Sequence, residues 1–340
     1  MKAIQFAAPG KVEVIEMAAP QLAEGDVLLK IHFIGICGTD LSTFRGANPL
    51  VGYPVIPGHE ISAEVVEVGS EVPRHIKKGA LVTANPYTNC GKCPSCKRRR
   101  YNACQYNETM GVQRHGAMRE FLVLPWEKLL INDKLSQEQL ALVEPLSVGF
   151  HSVARGKVTD IDTVMVLGCG MIGAGAIIRA ALRGARVIAV DLDDAKLAIA
   201  KKLGAQYTIN AGKEDLHGYL ASLTGGSGPD VVIEAVGSPV TYVTAIEEVA
   251  FTGRVVYIGY AKNEVAFSTK LFVQKELDIQ GSRNALPEDF IAVMNYMEKG
   301  NLPLDLLITK KLRLDEVAGA MQYWSEHPGE VFKLFIDFRK

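Results

Sequence analysis

Between residues 160 and 260 the chain alternates short β-branched runs with helical stretches, and this alternation narrows the fold more than any other feature. "TVMVLG", "ARVIAV", "AQYTIN", "DVVIEAV" and "GRVVYIG" are the runs, and stretches such as "DDAKLAIAKKLGA" separate most of them. Strands joined through helices pair in parallel, so the pattern predicts an α/β unit, a parallel sheet covered by helices. The first run leads straight into "GCGMIGAGAII", which holds Gly168-x-Gly170-x-x-Gly173. Gly168 permits the tight turn. Gly170 lets a pyrophosphate approach the backbone, and Gly173 lets helix and strand pack closely. The next run ends at Asp191, 23 residues after Gly168. A carboxylate there accepts hydrogen bonds from the adenosine ribose hydroxyls and repels a 2′-phosphate. Leu192 follows it, with no arginine, so NAD is expected over NADP.

Residues 1–125 follow a different rule. "KAIQF", "KVEVIEM", "DVLLKIHFIGI", "ISAEVVEVGS" and "MREFLVLP" are short apolar segments broken by Gly and Pro, with a turn at "APGK". Many short strands and frequent turns predict a barrel or sandwich. Near the other end, "LDEVAGAMQYWSEHP" puts Val317, Ala320, Met321 and Trp324 on one helical face, which reads as core. "VFKLFIDF" reads as a closing strand.

At 340 residues the chain has room for two domains with their own cores. The formal net charge is -1, so no global field draws in nucleic acid or an anionic membrane. Residues 1–11 carry no sustained apolar core of a signal peptide. The longest apolar run, 164–178, is shorter than the roughly 20 residues of a membrane span and is interrupted by glycines. A cytoplasmic location is the expectation. There thiols stay reduced, and clustered cysteines bind metal more often than they form disulfides.

Four of the six cysteines fall within residues 89–105, at C-x2-C-x2-C-x7-C: Cys90, Cys93, Cys96 and Cys104. A bacterial ferredoxin run has a fourth cysteine after three residues, followed by proline. Here the last gap is seven and Gln105 follows. Four thiolates complete a tetrahedral shell with no open position, so the segment reads as a structural Zn2+ lobe. The basic run 97–100 inside it reads as a solvated face. A second donor group is spread through the β-rich part: Cys37, Thr39 and Asp40 in "GICGTD", His59 and Glu60 in "PGHE", and Glu144 in "VEPLSVGFHS". A thiolate, an imidazole and one or two carboxylates are the donor set of a catalytic zinc with room for water or substrate. Their spacing alone does not bring them together.

With "GICGTD", "PGHE", the four-cysteine lobe, "EPLSVGFHS", the glycine loop and "EAVG", the chain resembles the zinc-dependent medium-chain alcohol dehydrogenases along essentially its whole length. It looks closest to the sorbitol dehydrogenase and L-galactonate 5-dehydrogenase (sugar-acid) branch. The resemblance implies a GroES-like β-rich catalytic domain, 1–147 and 284–340, and a Rossmann NAD-binding domain, 148–283, whose cleft holds nicotinamide against zinc. It implies Cys37, His59 and Glu60 as zinc ligands, with Glu144 ligating or holding the zinc water. Thr39 takes the substrate's proton. Ser42 stands where many relatives end the proton relay with histidine. Met171, Ile172, Lys196, Val236, Gly237, Gly259 and Ser282 are expected to contact the cofactor, beside the glycines and Asp191. In "GVQRHGAMREF", His115, Ala117 and Met118 depart from the common D-G-G-[FY] form and are expected to reshape the substrate cleft.

The implied reaction removes hydride from a secondary alcohol carbon of a polyol or sugar acid to NAD+, with two Zn2+ per chain, in a homodimer or homotetramer. After the final Rossmann strand comes "LDIQGSRNALPEDF", whose Arg283 is expected to meet the substrate. Threonine-dehydrogenase-like and simple alcohol dehydrogenases share these motifs, and substrate profiling separates them. A non-enzymatic, metal-stapled NAD sensor is separated by the absence of NADH production.

Overall fold

The computed structural model describes residues 1–300 and 302–340. The chain divides into two compact units, Met1–Glu144 with Leu286–Lys340, and Pro145–Ala285. The first junction lies inside a helix, Gln137–Arg155, and so no composition shift marks it. The sequence-based junctions lie three and two residues away from those of the structure.

In the first unit β1 (Lys2–Ala8) and β2 (Lys11–Glu16) form an antiparallel hairpin whose turn is the expected "APGK". The main sheet is built from β3 (Asp26–Ile36), β4 (Glu60–Val68), β5 (Leu81–Ala84), β6 (Phe121–Pro125), β7 (Leu129–Ile131) and two strands from the far end of the chain. In the second unit the strands are β8 (Thr163–Leu167), β9 (Arg186–Asp191), β10 (Tyr207–Asn210), β11 (Val231–Glu234), β12 (Arg254–Tyr257) and β13 (Asp278–Gly281). The far-end strands of the first unit are β14 (Lys310–Leu312) and β15 (Leu334–Asp337).

Among the described residues the first unit's sheet runs β14-β15-β3-β4-β5-β7, with β6 also on β3. The eleven-residue β3 is its spine, pairing antiparallel with β15, β4 and β6. Its alternating side chains, Val27, Leu29 and Ile31, are fully buried, and from Phe33 to Ile36 both faces are covered. The terminal helix Val317–Glu326 buries Val317, Met321 and Trp324 against this core, the face that its periodicity predicts. Ala117 and Met118 are wholly buried in the same core. They are packing residues of the β-rich unit, which corrects the expectation that they reshape a substrate cleft.

The second unit's sheet is fully parallel in the order β10-β9-β8-β11-β12-β13. Five strands match the β-branched runs. The sixth, β13, lies in the segment that the sequence places after the final strand. It is an edge strand with mostly exposed residues, so burial does not demand an apolar run there.

Candidate metal and nucleotide sites

Antiparallel pairing of β3 with β4 and β15 builds the first candidate site. Cys37 follows β3 directly and stands at the N-terminus of α1 (Gly38–Phe44). The Cys37 N–H donates to Asp40 Oδ2 at 2.8 Å, which fixes the turn and places Thr39 beside Cys37 in the first helical turn. Ser42 lies three residues on, over Thr39 on the helix. His59 and Glu60 enter β4, where Glu60 faces Gly35 of β3. A Cβ at residue 35 would lie 1.9 Å from Glu60 Oε2, so glycine there makes room for the carboxylate.

Donor atoms of Cys37, His59 and Glu60 lie within 4.8 Å of one another. A thiol, an imidazole and a carboxylate so placed are a donor set suited to Zn2+. Glu144 stands outside this trio, although it is buried. Its Oε1 accepts the Tyr87 hydroxyl proton, and burial raises its pKa against the opposing pull of His59. Burial also lifts the Tyr87 phenol well above its ordinary value, and the Glu144 charge adds to this. For His59, burial favours the neutral ring. The hydrogen bond with Cys37 and the charges of Cys37, Asp40 and Glu144 outweigh it, and hold the pKa well above the usual histidine value.

Two residues of this site escaped the sequence reading. Lys333, immediately before β15, sends its Nζ to both Glu60 oxygens, at 2.6 and 2.7 Å, and to the Ile36 carbonyl at 3.1 Å. The register Leu334↔Ile36 brings it there. A lysine beside the apolar run "LFIDF" was its one signal. Tyr87 had none, because its role depends on the loop after β5 reaching Glu144.

The cysteine lobe closes on itself. Sγ atoms of Cys90, Cys93, Cys96 and Cys104 all lie within 4.8 Å of one another, and none of the four is joined in a disulfide. Cys93 and Cys104 sulfurs are 3.9 Å apart. A tetrahedral shell with Zn–S of about 2.3 Å needs sulfurs about 3.8 Å apart. Backbone N–H groups of Cys90 and Cys93 point at Cys104 and Cys90 sulfurs, both at 3.3 Å, as thiolates require. The Ser95 hydroxyl and backbone N–H groups hold the Cys93 thiol down at about 5, while burial pushes Cys96 up to about 11. Four cysteine sulfurs in this geometry fit a metal. Residues 97–100 are exposed, a solvated face.

In the second unit Gly168 takes a positive φ of 91° after β8. Gly170 caps the helix Met171–Leu182, which follows the glycine loop. A Cβ at 173 would lie 1.8 Å from the Gly168 carbonyl oxygen, while one at 170 would meet nothing within 4 Å. The third glycine therefore serves packing, and the second leaves open space at a helix N-terminus where a pyrophosphate fits. Met171 is buried in the first turn, with Ile172 beside it. Asp191 ends β9. Its Oδ2 accepts the Cys169 N–H at 2.7 Å, and its Oδ1 the Leu192 N–H at 2.8 Å. Lys196 is in the first turn of the next helix, Asp194–Lys202.

Glu234 ends β11, and its Oε1 accepts from Val236 N, Gly237 N and Thr241 Oγ1 at 2.9, 2.8 and 2.7 Å. That carboxylate ties the loop down, a role that sequence reasoning missed. Gly259 packs so closely on Gly237 that a Cβ would lie 2.2 Å from the Gly237 nitrogen. Ser282 is buried after β13, donating its N–H to the Tyr257 carbonyl, and Arg283 follows, half-buried, in the same unit as the nucleotide loop.

Comparison with known proteins decides the family. Residues 23–133 match the alcohol dehydrogenase GroES-like domain and residues 172–299 match the zinc-binding dehydrogenase domain. The chain is 34% identical over 345 residues to D-arabitol-phosphate dehydrogenase of Enterococcus avium, covering 99% of this chain and 97% of the relative. The chain belongs to the zinc-type medium-chain alcohol dehydrogenases. This dehydrogenase is also 34% identical over 293 residues to L-galactonate-5-dehydrogenase of Escherichia coli K12, covering 86% of each. The solved structure of the rspB alcohol dehydrogenase of E. coli CFT073, complexed with NADH, is similar at a TM-score of 0.91 and 27% identity, covering 99% of each chain. As a family member the chain is a zinc-type dehydrogenase acting on CH–OH, with the GroES-like and Rossmann architecture predicted for it. No helix among the described residues is long and apolar enough to cross a membrane.

Proposed function

We propose that this dehydrogenase oxidises a secondary alcohol of a polyol or sugar acid, L-galactonate-like, with NAD+ preferred to NADP+. The observation that carries the reading is the convergence of Cys37, His59 and Glu60 at the N-terminus of α1, whose first turn carries Thr39. These three residues would hold the catalytic zinc, and the four cysteines a second one. Bound there, zinc supplies a Lewis acid that lowers the pKa of a substrate alcohol. Thr39 accepts the alcohol's proton through a hydrogen bond and passes it outward, with Ser42 next on the helix. Lys333 holds Glu60 in place, and Tyr87 orients Glu144. The glycine loop seats the pyrophosphate, Asp191 the adenosine ribose, and Lys196, Val236, Gly237, Gly259 and Ser282 complete the cofactor site.

Similarity to L-galactonate-5-dehydrogenase supports the substrate class. Arg283 donates to substrate hydroxyls or a carboxylate, and Arg283→Leu should raise KM for an acid substrate roughly 10- to 100-fold, since a charged hydrogen bond contributes about 1.5–3 kcal/mol. The outer edge of β13, with Ile279 exposed, supports a homodimer or homotetramer formed through that edge. A four-cysteine cluster with metal-binding geometry supports a cytoplasmic location. The test is NADH appearance at 340 nm with a panel of sugar alcohols and aldonates, in parallel with NADP+. Faster turnover of short-chain alcohols than of every polyol, or a higher kcat/KM with NADP+, overturns the reading.

A further inference from the structure

Residues 111–118 are stitched to the backbone just ahead of His59. Gly116 N–H donates to the Ile56 carbonyl at 2.6 Å, Ala117 N–H to Gly58 at 2.9 Å and Met118 N–H to Pro57 at 3.0 Å. Glycine is required for this closeness, because a Cβ at 116 would lie 2.4 Å from the Gly58 carbonyl oxygen. Arg114 sits within this loop and Arg119 directly after it. Both are thus mounted rigidly beside the segment that carries His59.

These arginines lack the partners that structural arginines have. Arg254, for comparison, pairs with Asp162 and donates to the Gly156 and Lys157 carbonyls at 2.9 and 3.0 Å. Arg114 makes one long bond, Nη2 to the Pro86 carbonyl at 3.4 Å. Arg119 has no side-chain hydrogen bond among the described residues, and the Nε of each arginine is shielded from solvent without a partner. Nearby, Lys128 Nζ donates to the Tyr87 carbonyl at 2.7 Å. Arg114 and Lys128 therefore lie against the two residues whose Tyr87 hydroxyl binds Glu144. None of the three cations has an ion pair among the described residues; Glu108 and Glu127 are the acids whose fields reach Arg114 and Lys128. Burial lowers the pKa of all three, and the Arg114 charge lowers Arg119 and Lys128 further. Half-buried, mutually repelling cations without an ion pair cost stability unless an anion joins them.

We propose that Arg114 and Arg119, with Lys128 beside them, form an oxyanion subsite that holds the anionic end of the substrate, a phosphate monoester or a carboxylate. The inference rests on the polyol reading and deepens it. Three positive charges suit a dianion, so a phosphorylated polyol binds more tightly than the matching aldonate. Guanidinium forks offer two parallel N–H donors to either oxyanion.

The test compares a neutral polyol, its aldonate and its monophosphate as substrates of wild type, Arg114→Leu, Arg119→Leu and Arg119→Lys. KM for the phosphate should rise about 10- to 100-fold in either leucine variant, and far more than KM for the neutral polyol. Arg119→Lys should recover part of the loss. The melting temperature of Arg119→Leu should equal or exceed that of wild type, since an unpaired charge has been removed. A larger loss for the aldonate than for the phosphate assigns the subsite to a carboxylate and sustains it. Equal losses for neutral and anionic substrates, or a fall in melting temperature with loss of all activity, overturn it. Inorganic phosphate titrated calorimetrically into the NAD+-loaded enzyme separates the subsite from the polyol reading. Phosphate binding that both leucine variants lose sustains the subsite even where no polyol is oxidised. Phosphate binding unchanged in both variants, or no binding to wild type, overturns it even where polyols are turned over.

Discussion

Replacing Lys333 with methionine isolates the buried pair under the candidate zinc site. Lys333 is 3% exposed and Glu60 0%. The ammonium reaches both carboxylate oxygens. Methionine keeps most of the side chain's length and removes the charge, leaving Glu60 buried without its cation. Breaking one partner of a buried pair costs about 3–5 kcal/mol, whereas removing both charges together is close to neutral. For a unit of this size each kcal/mol moves the melting temperature by about 2–4 °C, so Lys333→Met should melt about 6–20 °C lower. Lys333→Met with Glu60→Gln should recover most of that loss. Bound zinc shares the carboxylate's charge and reduces the effect, so the comparison is made by calorimetry at matched metal content. The pH arm has a definite sign. Burial alone would lower the Lys333 pKa, but the charge and hydrogen bond of Glu60 and the charges of Cys37 and Glu144 together outweigh it, and the folded value is raised. A raised lysine contributes stability that is fully present below the unfolded value of about 10.4, and is lost as pH climbs through the folded value. Stability from this pair is therefore flat across neutral pH and falls only in alkali. A single variant within about 1 kcal/mol of wild type, or a double variant less stable than the single, refutes the reasoning.

Three further outcomes are expected. Gly170→Ala should fold normally and bind NAD+ at least about tenfold more weakly, because its Cβ meets only open space where the pyrophosphate fits, whereas Gly173→Ala should lose about 1–3 kcal/mol of stability, because its Cβ strikes the Gly168 carbonyl; equilibrium unfolding and NAD+ titration separate the two. Thr39→Val should lower kcat about 100-fold or more with NAD+ affinity intact, and near-normal turnover at neutral pH removes Thr39 from the proton path. Cys90→Ser should reduce zinc from two per chain towards one by elemental analysis and lower the melting temperature, since a closed shell holds the lobe; unchanged zinc content counts against a four-sulfur site.

Local pattern determined the parts of this protein whose physics is local. A strand must bury alternate or continuous apolar residues, so five parallel strands were legible from their β-branched runs, and the glycine loop from the turn that only glycine allows. The four-cysteine lobe was legible because its donors lie within fifteen residues of one another. Distance along the chain hid the rest. Lys333 and Glu60 are 273 residues apart, and only the β15–β3–β4 pairing register makes them partners. Edge strand β13 carries no apolar demand, so its sequence is silent. Met118 looked like a departure that would shape a cleft, yet the sheet turns it into the core. Nothing in the sequence marks Arg114 and Arg119; fastening of their loop to residues 56–58 leaves them half-buried and without an ion pair among the described residues. A sequence states which groups are present. Which charges lose their water, and which find a partner, is decided by strands that meet only after the chain has folded.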